Sequence, residues 1–211
     1  MIQIIISIDP STQFLFEIIN ILKSKKLELD VTEIHPTKTV YSEAYLRVSQ
    51  FDKNSVVLFL GHGTDEKLYG GESVPDFEKK EFIKFSQMNV FENQNLFALS
   101  CHSAGLIKKS HRLSKMHKSI GFGGIPTSEY EINDDKWLRE QGVSKETVED
   151  FKNEIVNIIS SAFALHYRDF NKLSDHLRLL LDQRINNAVL VKKDRNLADL
   201  LFKMRNEMVL Y

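Results

Sequence analysis

The stretch SVVLFLGHG, residues 55–63, is an unbroken apolar run that ends in Gly61-His62-Gly63. A short apolar run without alternation, bounded by turn residues, predicts a strand buried on both faces of a sheet. In open α/β sheets, ligands bind just beyond the carboxyl ends of the strands. His62 is therefore a candidate functional residue on a strand end.

Two other segments share this character. IQIIISI (2–8) reads as a first buried strand, and LFALS (96–100) leads directly into Cys101, the only cysteine of the chain. SIGFGGIP (119–126) predicts a further strand weakened by glycine. Strands alternating with helical patterns predict an α/β fold, with a mostly parallel sheet and helices on both faces.

The remaining periodicity assigns the other elements. Residues 28–34 alternate like an edge strand, and 126–143 shows no clear period. Residues 187–192 fit either a short strand or part of a helix. Helices are predicted at 13–25, around 41–51, at 76–88, from after Cys101 to about 117, at 145–168, at about 171–186 and at 194–207. We expect a single domain over 1–211 whose C-terminal third, about 144–211, is mainly helical.

Composition narrows the function classes. The net charge is -1 and no block of like charge occurs, so the electrostatic footprint of direct nucleic-acid binding is missing. One cysteine cannot form an internal disulfide, which favours a cytoplasmic setting. No run approaches the ~18 apolar residues of a membrane span, so no membrane association is expected.

His62 and Cys101 together suggest nucleophilic catalysis. A thiol must become a thiolate to attack a carbonyl, and a nearby imidazole can take its proton. A helix that begins just after Cys101 would favour the thiolate through its N-terminal partial charge. The backbone N–H groups of Gly63 and Cys101 are candidates for binding the oxyanion that develops during acyl transfer.

The two blocks also carry a family resemblance. VVLFLGHG is similar to the hydrophobic block plus His-Gly of the caspase-like cysteine peptidases, the clan that includes caspases, gingipains and separase. LFALSCHSA is similar to their second block, with the histidine before the cysteine, and LSCHSAG is most similar to CHAT-type domains. The similarity covers roughly residues 1–130, and its specificity lies in these two short blocks.

The resemblance implies a caspase-hemoglobinase-like three-layer sandwich and an endopeptidase with a His62–Cys101 dyad. It implies a protein or peptide substrate, no metal or other cofactor in the reaction, and regulation by a partner protein in bacterial defence or signalling. The sequence departs from caspases in having Leu99-Ser100 before the cysteine, so aspartate specificity is not expected. Acidic candidates for a substrate pocket are Glu129, Glu131, Asp134 and Asp135.

Other interpretations remain open. The first is a caspase-like scaffold that lacks catalysis and binds partners, with Cys101 as a small packing residue. A metal site from His62, Cys101 and His102 lacks a fourth ligand. An amidotransferase-like hydrolase would need a later histidine, for which His166 is the candidate. Asp65 and Glu72 are loop carboxylates that could orient His62.

Overall fold

A computed structural model of the protein describes residues 1–73 and 76–211, apart from the side chains of Glu129, Tyr130 and Asp134. The strands are β1 (Ile2–Ser7), β2 (Leu29–Ile34), β3 (Val56–Leu60), β4 (Lys67–Tyr69), β5 (Glu81–Lys84), β6 (Asn95–Leu99), β7 (Lys118–Gly121) and β8 (Val209–Leu210). The α-helices are α1 (Phe16–Ser24), α2 (Lys38–Ser49), α3 (Ser103–Ser114), α4 (Glu129–Asp134), α5 (Lys136–Glu140), α6 (Lys145–His166), α7 (Phe170–Asn187) and α8 (Arg195–Glu207).

Six strands form the main sheet in the order β2-β1-β3-β6-β7-β8. The first five are parallel and β8 runs antiparallel to β7, so the predicted α/β fold with a mostly parallel sheet is confirmed. Leu60 of β3 lies beside both Ile6 of β1 and Leu99 of β6. The carboxyl ends of these three strands are therefore level, and the residues that follow them meet at one edge.

Helices pack on both faces of the sheet. Leu58 and Leu60 contribute to a core cluster with α1, α6, α7 and α8, whereas Val57 and Phe59 contribute to a second cluster with α2 and α3. Successive side chains of a strand point to opposite faces, and here both faces are covered. This is why β3 is a continuous apolar run instead of an alternating one.

The prediction of a helix at 76–88 is wrong. The segment contains β5, which pairs antiparallel with β4, followed by a 3₁₀ helix at Phe85–Phe91. Phe82 and Ile83 are buried between the exposed ends of β5. Pairing with β4 satisfies the backbone of this segment and overrides its local helical spacing, as tertiary context commonly does with weak propensities.

The C-terminal third is mainly helical, as predicted, through α6, α7 and α8. The ambiguous segment 187–192 is helical, with a π-type turn at Ala188–Lys192. The segment 126–143 contains α4 and α5, whose N-termini are capped by Ser128 and Asp135. Across 1–73 and 76–211, no helix has the length and apolar character to cross a membrane.

Candidate active site

His62 and Cys101 follow the neighbouring strands β3 and β6 and lie at the same edge of the sheet. The Gly61 N–H donates to the Leu99 carbonyl at 3.2 Å, which ties the two strand ends together. The two side chains line one cavity of about 20 Å³. The structure thus brings together the two residues that the sequence selects.

Gly63 allows the chain after His62 to approach the chain before Cys101. A Cβ atom at position 63 would lie 2.6 Å from Ser100 Oγ and 3.1 Å from the Cys101 carbonyl oxygen. Such distances are shorter than van der Waals contact, so any larger residue would push the two segments apart. Gly63 and Cys101, the candidates for oxyanion binding, therefore lie side by side.

The partner of the His62 ring is Asp9, a residue that the sequence analysis did not select. Asp9 Oδ2 lies 3.1 Å from His62 Nε2, and Ser11 Oγ lies 2.8 Å from the same nitrogen. The Asp9 and His62 side chains are 2% and 11% exposed. Asp65 instead pairs with Lys109, and Glu72 lies 3.7 Å from Lys79. The sequence feature that could have indicated Asp9 is its position just after β1, which pairs with β3 on the side away from β6.

A dense set of hydrogen bonds holds the Asp9 carboxylate in place. Oδ1 accepts from the Ser11 N–H at 2.9 Å and from Ser11 Oγ at 2.6 Å, and Oδ2 lies 3.1 Å from Thr12 Oγ1. Burial alone would raise the pKa of Asp9, but the hydrogen bond and charge of His62, with the bonds from Ser11 and Thr12, hold it at about 2. Asp9 is therefore ionised throughout the neutral range.

An ionised carboxylate only accepts hydrogen bonds, so it favours the proton of the His62 ring on Nε2. The lone pair of the neutral ring is then on Nδ1. This is the arrangement that a general base needs, with one nitrogen anchored and the other free to take a proton.

The thiol of Cys101 is not activated in this conformation. Cys101 Sγ donates to the Ile125 carbonyl at 3.1 Å and lies 3.4 Å from the Ile125 N–H. Burial, followed by the nearby Glu131 carboxylate, raises the pKa of Cys101 to about 12. A helix does start close to Cys101, at Ser103, but the expected lowering of the pKa is not seen because burial outweighs the helix N-terminus.

The segment that covers Cys101 is residues 123–127, which we call the strap. Its Gly124 N–H donates to Glu207 Oε2 of α8 at 3.0 Å. At its other end, the Thr127 N–H donates to Glu131 Oε2 at 2.7 Å. Two carboxylates from the C-terminal half of the chain therefore hold the strap against the thiol.

The acidic pocket candidates occupy a different place from the cavity. Asp135 lines an open cleft of about 370 Å³ on another side of Cys101, together with Glu131 and Lys203. Its carboxylate caps α5 and lies 3.9 Å from Lys203 Nζ. The side chains of Glu129 and Asp134 lie outside the described residues.

The alternative chemistries gain no support from the geometry. His166 contacts His176, at 5.1 Å between ring centroids, and is not among the residues around the cavity. In the described part of the chain, no group of three or more His, Cys, Asp or Glu side chains is arranged to hold a metal ion. His102 adopts a left-handed conformation (φ 56°) and caps α3.

Comparison with known proteins adds no family assignment, because no protein-family model and no curated protein matches the chain.

Proposed function

We propose that this protein is a caspase-like cysteine endopeptidase with Cys101 as nucleophile and His62 as general base and acid. The observation that carries the proposal is the shared cavity of His62 and Cys101, with the Asp9 carboxylate beside Nε2 of the imidazole. The parallel sheet with helices on both faces supports a caspase-hemoglobinase-like three-layer sandwich. Fold alone does not define function, so the proposal rests on the site.

The reaction follows from the roles of these groups. His62 Nδ1 takes the thiol proton, and Cys101 Sγ attacks the scissile carbonyl carbon to form a C–S bond. The carbonyl oxygen becomes an oxyanion beside the backbone N–H groups of Gly63 and Cys101. The C–N bond then breaks, and the amine leaves with the proton from His62. Water, deprotonated by His62, hydrolyses the thioester and restores the thiol.

Regulation is part of the proposal. With the strap closed, the Cys101 thiol is protonated and hydrogen-bonded to Ile125, so the chain rests in an inactive state. Displacement of the strap would expose the thiol and leave His62 in place, because the ring is held by Asp9, which does not belong to the strap. A partner protein that contacts α8 or the strap fits this requirement, and regulation by a partner is also what the resemblance to CHAT-type domains implies.

The test is cleavage of a proteome-derived peptide library, with new N-termini identified by mass spectrometry. We expect cleavage by the chain, or by the chain with a released strap, and loss of cleavage in Cys101→Ala and in His62→Ala. Ser11→Ala is a milder comparison, because it removes a neighbour of His62 but keeps Asp9. Cleavage that persists in Cys101→Ala would exclude the proposed nucleophile.

A second candidate is a catalytically silent caspase-like scaffold. The protonated thiol favours this candidate, because it is hydrogen-bonded to both the carbonyl and the N–H of Ile125. In a scaffold, Cys101 is a packing residue, and Cys101→Ser should change neither partner binding nor a cellular phenotype. In a peptidase, the same variant should lose the phenotype while the chain stays folded.

A further inference from the structure

The cavity between His62 and Cys101 has an apolar floor. Leu15, Leu99 and Ile155 line it and are 4%, 3% and 0% exposed. They come from the 3₁₀ turn before α1, from β6 and from α6, and all three belong to one core cluster. The floor is therefore part of the packed interior, and its shape is set by the core.

The cavity is also small and uncharged. Its volume of about 20 Å³ is room for about one water molecule, which is comparable to a methyl group. No Asp, Glu, Lys or Arg stands among the described residues that line it. The Thr12 hydroxyl is already bonded to the Ser7 carbonyl at 2.8 Å. Of the groups that the structure describes, no carboxylate, ammonium or guanidinium lines the cavity to pair with a charged side chain.

The position of the cavity beside both dyad residues indicates which part of a substrate would fill it. It contacts both His62 and Cys101, whereas the open cleft with Asp135 contacts Cys101 but not His62. We propose that the cavity receives the side chain of the acyl residue, the residue whose carbonyl is attacked, and selects glycine or alanine there. The proposal rests on the proposed peptidase function and names its substrate class: peptides with a small, uncharged acyl residue.

Movement of the strap changes the rim of the cavity and not its floor. Ile125 and Thr127 line the cavity and belong to the strap, so they would move when it opens. Ile125 shares their core cluster, but Leu15, Leu99 and Ile155 lie on the 3₁₀ turn, β6 and α6 and not on the strap. Selection against large or charged acyl residues therefore holds in the open state as well.

The experiment uses peptidyl acyloxymethyl ketones that differ only in the acyl residue: glycine, alanine, leucine, arginine or aspartate. In the labelling reaction, Cys101 Sγ forms a C–S bond, the C–O bond breaks, and the carboxylate leaves with its electron pair. Labelling rates are measured by intact mass on the wild-type chain and on Glu207→Ala, a variant expected to release the strap because it removes the acceptor of the Gly124 N–H. Cys101→Ala controls for labelling elsewhere.

We expect the glycine and alanine probes to label Cys101 at least about 100-fold faster than the arginine and aspartate probes, because a buried charge without a partner is costly. Faster labelling by arginine or aspartate overturns the pocket assignment and leaves the peptidase proposal intact. If no probe labels Cys101 in either protein, the peptidase proposal fails, and the pocket assignment fails with it.

A variant pair tests the floor itself. Ile155→Ala should enlarge the cavity and raise the rate of the leucine probe relative to the alanine probe by about tenfold. The matched control is Ile158→Ala on the same helix, where the side chain is 1% exposed and does not line the cavity. Circular dichroism checks folding, and Leu15→Ala replaces Ile155→Ala if that variant unfolds. An unchanged rate ratio in a folded floor variant overturns the assignment.

Discussion

The Asp9 carboxylate lies 3.1 Å from Nε2 of the His62 imidazole, and both side chains are almost completely buried. This pair connects the ends of β1 and β3, and it anchors the ring at Nε2. A histidine held only by its own backbone would sample several rotamers. The contact with Asp9 favours one orientation and one tautomer, and the proposed catalysis would depend on both.

Replacement of Asp9 by Asn should lower kcat by about 10²- to 10⁴-fold with little change in KM, the range typical of lost general-base function. The amide can donate to Nε2 and so draw the ring proton to Nδ1, the nitrogen that must accept the thiol proton. The measurement is steady-state cleavage of a peptide from the library, with the tautomer read from ¹⁵N chemical shifts of the ring.

The control for Asp9→Asn is Asp65→Asn. Asp65 is an exposed loop carboxylate that pairs with Lys109 and not with His62. Its replacement should leave kcat and the tautomer unchanged. An equal loss of kcat in both variants would show that Asp9 does not position His62.

Alkylation of Cys101 by iodoacetamide should be slow at neutral pH and should rise with pH. Since burial raises the pKa of Cys101 to about 12, only about one molecule in 10⁵ carries the thiolate at pH 7. The thiolate fraction, and with it the alkylation rate, therefore rises about tenfold per pH unit until the pH reaches the pKa of Cys101. The measurement is the rate of modification between about pH 7 and pH 10 by intact mass, compared with a small-molecule thiol. A rate equal to that of the free thiol at pH 7 would contradict the closed site.

Removal of the Glu207 side chain should release the strap. Glu207 Oε2 accepts the Gly124 N–H at 3.0 Å, and a hydrogen bond to a charged group contributes about 1.5–3 kcal/mol. We therefore expect Glu207→Ala to speed alkylation of Cys101 about tenfold or more at fixed pH. Glu140→Ala, at an exposed position of α5, is the matched control and should leave the rate unchanged. Equal rates in wild type and Glu207→Ala would show that the strap is held by other contacts.

Gly63→Ala should impair both stability and activity. The added methyl group would lie 2.6 Å from Ser100 Oγ, and overpacking of this kind typically costs about 1–3 kcal/mol. Gly124→Ala is the control, since a methyl group there would meet no atom closer than 3.7 Å. Urea unfolding of both variants measures the free energy of unfolding. A destabilisation of Gly124→Ala as large as that of Gly63→Ala would refute the steric argument.

Much of the architecture follows from local patterns. The apolar runs at 2–8, 55–63 and 96–100 predict β1, β3 and β6 to within three residues at each end, because a strand covered on both faces must be apolar throughout. The long helices after residue 144 follow from their apolar stripes, and the structure adds that Ser144 caps α6. His62 and Cys101 could be selected for the same reason, since each directly follows a strand that the sequence marks as buried.

The rest depends on which segments become neighbours. Ser11 and His62 are 51 positions apart, and they meet with Asp9 only because β1 lies beside β3 in the sheet. The strap acts on Cys101 because α8 returns to this edge and presents Glu207 to Gly124. Within the segment 76–88, predicted as a helix, residues Glu81–Lys84 form a strand because they pair with β4. Local periodicity predicts which faces of an element are buried, but not which other elements cover them. The neighbours of the candidate dyad are therefore decided by tertiary packing.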